Sequence, residues 1–394
     1  MTNLSRAIED ETIAINNGFK LKNTLYMLGT PVNSTGVSNL RKSREDYDKL
    51  SSVKEECEKI KKIVKEEERS DDEVILSSYR MIPNGQLSLQ EITEKSGYVY
   101  YVPTPLSLSQ LIKRTVPAAE HDRNAISSAA SFVGNEYSPI NLRQTVTNHY
   151  LSLAKTDKKD ITAIFRSRKY LNKRELYAVV SDRFSLDCDV DDISDILARL
   201  EGESKAISMY DGNRFRFDII YHTDIKPEDG VCGEVFKAGV SVRSSDNGTQ
   251  GIRISPFVIR NLCLNLIILD KAQQYTAFTH LKKNLPEVIN EAIKDSLNKV
   301  SAFKDKWSYA NKTIIEELDK PEELFTKLVK DGVFKVPGIS SKELVIKLMS
   351  SWSKEPGNTL SSIINASSRA AHEEISDVWS STLLEEQSGN LLWV

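Results

Sequence analysis

The chain has 394 residues, 40% of them hydrophobic, enough to bury a substantial core in two or three structural units rather than one small domain. Its 53 Lys and Arg nearly cancel its 56 Asp and Glu, and the formal net charge of −3 excludes a global field drawing the chain to nucleic acid or to an anionic membrane. The N-terminal residues are polar and acidic and no run approaches about 18 apolar residues, so neither a secretory signal nor a spanning helix is expected, and a cytoplasmic location is.

Residues 43–69 contain no Pro or Gly, mix acids with bases, and place Leu50, Val53, Cys57, Ile60 and Val64 at alternating spacings of three and four. That pattern predicts an amphipathic helix with one apolar stripe. About two heptads are too few for a coiled coil, so the stripe is expected to pack on the rest of the protein, with a dimerising arm as the alternative. Further on, Val74-Ile75-Leu76 and the run Tyr98 to Val102 read as strands, bounded by Pro83-Asn84-Gly85 and Pro103-Thr104-Pro105, with a short helix expected from Ser88.

The span 160–269 is the richest in strand signals. Apolar runs at 161–168 and 175–182 flank Asn172-Lys173-Arg174, which suits a hairpin. Asp187, Asp189, Asp191 and Asp192 suggest a calcium loop, but its sixth and twelfth positions hold Asp192 and Ala198 in place of Gly and Glu. Helix capping accounts for the same residues better, since Asp accepts free amide hydrogens in a first turn. Asp211-Gly212-Asn213 gives a strong hairpin signal, and Gly239 to Arg243 with Gly251 to Ser255 forms a second pair around Ser244 to Gly248.

From Pro256 onward the pattern reads as helical. Leu285 through Trp307 carries one continuous stripe, Leu324, Phe325, Leu328 and Val329 begin another, and stripes starting at Leu344 and Leu360 follow. The expected fold is α+β: a central, mainly antiparallel twisted sheet with an N-terminal helical arm and an all-helical C-terminal third, divided as 1–72, 73–268 and 269–394.

No P-loop string, GxGxxG fingerprint or GxSxG elbow occurs, so no enzyme class and no cofactor is indicated. The five histidines, His121, His149, His222, His280 and His372, never fall at zinc-hydrolase spacing, and Cys57, Cys188, Cys232 and Cys263 lack CxxC spacing and read as buried free thiols; no metal is expected.

One local feature stands out. Between 158 and 184, Lys158, Lys159, Arg166, Arg168, Lys169, Lys173, Arg174 and Arg183 outnumber Asp160, Glu175 and Asp182, interleaved with Phe165, Tyr170, Tyr177 and Phe184. Arginine and aromatic side chains on strands suit a single nucleic-acid strand, guanidinium meeting phosphate and ring meeting base. A solvated sheet edge guarded by charge is the plainer alternative.

The runs Glu175 to Phe184, Gly239 to Arg243 and Gly251 to Asn265, with Asn358-Thr359-Leu360, Ile364-Asn365-Ala366 and Ala370-Ala371-His372, resemble the phage/plasmid-like protein family, whose shared domain has no assigned function. The resemblance covers about 90–394. It departs at Ser245-Asp246-Asn247, where the family shows Asn-Ser-Glu before its glycine, and at Leu266, where the family shows Gly. It implies a mobile-element protein expressed in a bacterial cytoplasm.

Together these features lead to a protein that binds single-stranded DNA or RNA and supports annealing or recombination. Arg166, Arg168, Lys169, Lys173, Arg174 and Arg183 are its first contacts, and Arg253 and Arg260 its second. The alternative is a protein-interaction factor, a host-defence antagonist or particle component, with a host or phage protein as partner. Its support is the charged helix at 43–69 and the acidic pair Glu385-Glu386. A homo-oligomer is expected in either case.

Overall fold

A computed structural model describes residues 50–89, 100–115, 123–154, 160–170, 173–184, 189–200, 204–227, 235–260, 266–269, 276–278, 284–375 and 378–393. The expectations placed on residues 43–49, Tyr98, Val99, His121, Lys158, Lys159, Asn172, Asp187, Cys188, Cys232, Cys263, Asn265 and His280 lie outside the described residues.

Strand β1 (Ser51–Ser52) runs into α1 (Val53–Glu66), which opens on a capping box: Ser52 Oγ accepts from Glu55 N while the Glu55 carboxylate accepts from Ser52 N. Then come β2 (Ser70–Ile75), β3 (Tyr79–Met81), β4 (Leu87–Leu89), β5 (Tyr100–Pro103), α2 (Pro105–Arg114), α3 (Arg123–Val133) and α4 (Ile140–Leu153). The strand-rich middle holds β6 (Thr162–Tyr170), β7 (Lys173–Val180), α5 (Val190–Leu197), β8 (Ser204–Tyr210), β9 (Arg214–Ile225), β10 (Phe236–Ser245), β11 (Ile252–Arg260), β12 (Leu266–Ile268) and β13 (Thr276–Phe278). The rest is helical: α6 (Leu285–Val300), α7 (Phe303–Lys312), α8 (Pro321–Lys330), α9 (Ser341–Lys354), α10 (Leu360–Glu373) and α11 (Val378–Asn390).

The strands form two sheets rather than the single central sheet expected. The larger runs β1-β8-β9-β10-β11-β12 with β13 also on β11, antiparallel throughout; the smaller runs β2-β6-β7-β5-β4-β3, with β5 and β7 its parallel pair. The α+β class is as expected. Pairing crosses both expected boundaries, because β1 joins β8 and β13 joins β11.

Three helices cover one face of the large sheet. Val53, Cys57, Ile60 and Val64 of α1 meet Val190, Ile193 and Leu197 of α5, Ile289 and Ile293 of α6, and Phe215, Phe217, Val240 and Val242 of the sheet. The stripe of α1 is therefore a packing face, and the described part of the expected arm lies on the core. Helices α2 to α4 cover the small sheet through Leu108, Leu111, Ala130, Val133 and Leu151 against Tyr101, Phe165 and Val179. Burial pushes the Cys57 thiol up to about 12, so we expect alkylation, mapped by mass spectrometry, to leave Cys57 unmodified until the protein unfolds; modification in the native state would contradict this packing.

Three local readings are corrected. Ser88 starts no helix: it lies in β4, which pairs with β3 across the Pro83-Asn84-Gly85 turn, with Gly85 at φ +82°. The helical region begins at Leu285, not Pro256. The apolar run Phe257 to Ile259 sits in β11, which is covered on both faces, and a doubly buried strand loses the alternation that identifies it. The stripe from Leu285 to Trp307 is shared by α6 and α7, with a break at Ser301-Ala302.

Candidate functional site

The arginines of β6 point between the two sheets. Arg166 is 1% exposed and uses all its N–H groups: Nε and Nη2 donate to Asp71 (2.9 and 3.3 Å), Nη1 and Nη2 to Asp189, and Nη1 also to the Asp246 carbonyl. Arg168, 3% exposed, donates from Nε to Glu175 (2.9 Å) and from Nη1 to Glu67 and the Gly212 carbonyl. With Arg69, which reaches Glu67 and Asp246, they surround the Tyr177 ring at 5.2 to 5.7 Å from its centroid. Burial pushes the Asp189 carboxyl up while Arg166 pulls it back, and burial pushes the Tyr177 phenol up.

The loop after β10 is the hub of this junction. Asp246 Oδ2 accepts from Arg69 (2.6 Å), Oδ1 accepts from Val190 N at the start of α5 (3.0 Å), and its amide donates to Asn213 O (2.7 Å). The Asn247 carbonyl accepts from Gln110 Nε2 of α2, whose Oε1 accepts from Val179 N of β7. Asp189 caps α5 in a box with Asp192, as the capping reading of that acidic cluster requires. Ser245, Asp246 and Asn247 are thus buried and structural.

The C-terminal acids are spent inside as well. Glu385 pairs with Arg216 of β9 (3.0 Å), which also holds Asp218, and Glu386 pairs with Arg243 of β10, all of them buried. This corrects the use of Glu385-Glu386 as support for a partner-binding surface: α11 lies between β12 of the large sheet and α10.

Of the eight proposed nucleic-acid contacts, Arg166, Arg168 and Arg260 are buried in ion pairs, the last with Glu355 (2.6 Å), and Arg253 lies 3.8 Å from Glu386. Lys169 is 52% exposed but bonded to Glu68 (2.6 Å), and Arg174 donates to Ser167 and to the Glu68 carbonyl. Lys173 and Arg183 are exposed without an ion pair among the described residues. Lys173 begins β7 and Arg183 lies beyond its other end, a strand about 23 Å long between them, so the run is not one patch. Charge counting overlooked this because β2, the link before it and α5 bring Glu67, Asp71 and Asp189 to these arginines from distant parts of the sequence.

A second surface lies on the C-terminal helices. Helices α8 and α9 and the loop between them frame a groove of about 700 Å³, floored by Val329, Phe334, Val336 and Val345, with Ile346 59% exposed at its lip. Gly332, at φ +77°, ends α8, and Gln387 of α11 fixes the loop by accepting from Lys335 N (3.0 Å) and donating to Lys335 O (2.8 Å). The groove is not legible from the stripes alone; Ile346, an apolar residue off the buried face of Leu344, Val345 and Leu348, is the available signal.

Among the described residues no three His, Cys, Asp or Glu side chains converge as metal ligands, and no helix is long and apolar enough to cross a membrane. No protein-family model, curated protein or solved structure matches the chain.

Proposed function

We propose that this chain is a mobile-element protein that acts by binding another protein, with no reaction of its own. The observation that carries this reading is the allocation of charge: Arg166, Arg168, Arg216 and Arg243 hold the sheets and α11 together, while the exposed Ile346 and lysines without an ion pair among the described residues coincide on α8, α9 and the loop between them. The mobile-element setting rests on the residues that resemble the phage/plasmid-like family.

A second reading, single-stranded DNA or RNA binding at the β6–β7 hairpin, is favoured by the exposure of Lys169 and Lys173 beside Tyr170. Three cations at most, Arg174 included, imply a salt slope near −2, far below that of a dedicated binder. Fluorescence anisotropy against labelled single- and double-stranded DNA and RNA at low and moderate salt separates the two. We expect no binding at micromolar protein in moderate salt. Salt-sensitive binding that Lys169→Glu with Lys173→Glu abolishes would replace the protein-binding reading with the nucleic-acid one.

A further inference from the structure

We infer that the groove between α8 and α9 is a docking site for a short amphipathic helix that carries acidic residues beside its apolar face. This inference rests on the protein-binding reading and names the chemistry of the partner. Lys330, Lys335 and Lys342 line the groove against the single acid Glu322, and none of the three lysines makes an ion pair among the described residues. Elsewhere on α9, Lys347 pairs with Glu343, and Lys354 with Glu373 and Glu374. The groove therefore carries an excess of two positive charges around an apolar floor.

The face of α8 from Glu322 to Lys330 gives a furrow about 12 Å long, room for two turns of a helix. With Ile346 59% exposed, the furrow is open along one side, which suits anchors at i, i+4 and i+7 laid in from outside and leaves a fatty acyl chain poorly enclosed. The loop that carries Lys335 is held by Gln387 on both its amide and its carbonyl, so the site is formed before a partner arrives.

The test is a selection from a displayed library of amphipathic helical peptides, run on the full chain and, in parallel, on Ile346→Glu and on a Lys330→Glu, Lys335→Glu, Lys342→Glu triple variant. All four substituted side chains are exposed, so the variants are expected to fold, and circular dichroism checks this. We expect the enriched peptides to be acidic and to lose at least about tenfold in affinity on either variant, the scale of one lost aliphatic anchor. No enrichment, basic or neutral winners, or equal binding to the variants overturns the inference. Dodecanoate binding without peptide enrichment would reassign the groove to a lipid carboxylate. A self-associated species in light scattering that Ile346→Glu dissociates would reassign it to a second copy of this chain. The nucleic-acid anisotropy measurement is independent of all these outcomes: an empty groove with no nucleic-acid binding defeats this inference alone, whereas nucleic-acid binding defeats the reading beneath it.

Discussion

Replacing Arg166 by Ala is expected to destabilise the protein by about 3 kcal/mol, the lower end for breaking a buried ion pair, because the guanidinium is buried while its carboxylate partners keep some contact with solvent. Asp71 and Asp189 lose their guanidinium and the Asp246 carbonyl loses a donor, all at the point where β6 meets α5 and the β10–β11 loop. The same change at Lys173, exposed and without an ion pair among the described residues, is expected to alter stability by no more than about 0.5 kcal/mol. Urea unfolding followed by circular dichroism compares the two, and equal, small effects would show that Arg166 is not the keystone described here. A loss of nucleic-acid binding in an Arg166 variant would for the same reason report unfolding, so a test of binding belongs on Lys169 and Lys173.

Gly389→Ala is the second large effect. Ala is the better helix former by about 1 kcal/mol, so propensity alone predicts stabilisation. At this position a Cβ would lie 1.8 Å from the Ile268 carbonyl oxygen and 2.7 Å from its carbon, backbone atoms of β12 that no side-chain rotation can move. Helix α11 would have to lift, which also draws Glu385 and Glu386 away from Arg216 and Arg243. We expect a net loss of about 3 kcal/mol, the upper end for overpacking. An unchanged or raised melting temperature would mean that α11 does not rest on β12 through this glycine.

Much of the local structure was legible because it depends on near neighbours. The 3,4 spacing from Leu50 to Val64 marks the face that α1 buries, and Asp211-Gly212-Asn213 marks a turn in which Gly212 takes φ +87°. Asp189 and Asp192 cap α5 because a first turn needs acceptors for its free amides, whatever surrounds it. Periodicity failed where burial is two-sided: β11 and α11 are each covered on opposite faces, so neither shows a one-sided stripe.

The candidate site was legible as composition and misplaced as geometry. The α+β class, the hairpins, the packing face of α1 and the helical stripes after Leu285 follow from local patterns, although those patterns place the helical start at Pro256. The two sheets, the inward arginines Arg166 and Arg168, and the internal pairing of Glu385 and Glu386 depend on contacts between distant segments. The physical reason is that an arginine in a sequence is an exposed cation only until distant carboxylates reach it. Asp71, Asp189 and Asp246 lie 95, 23 and 80 residues from Arg166 along the chain, and no local rule couples them.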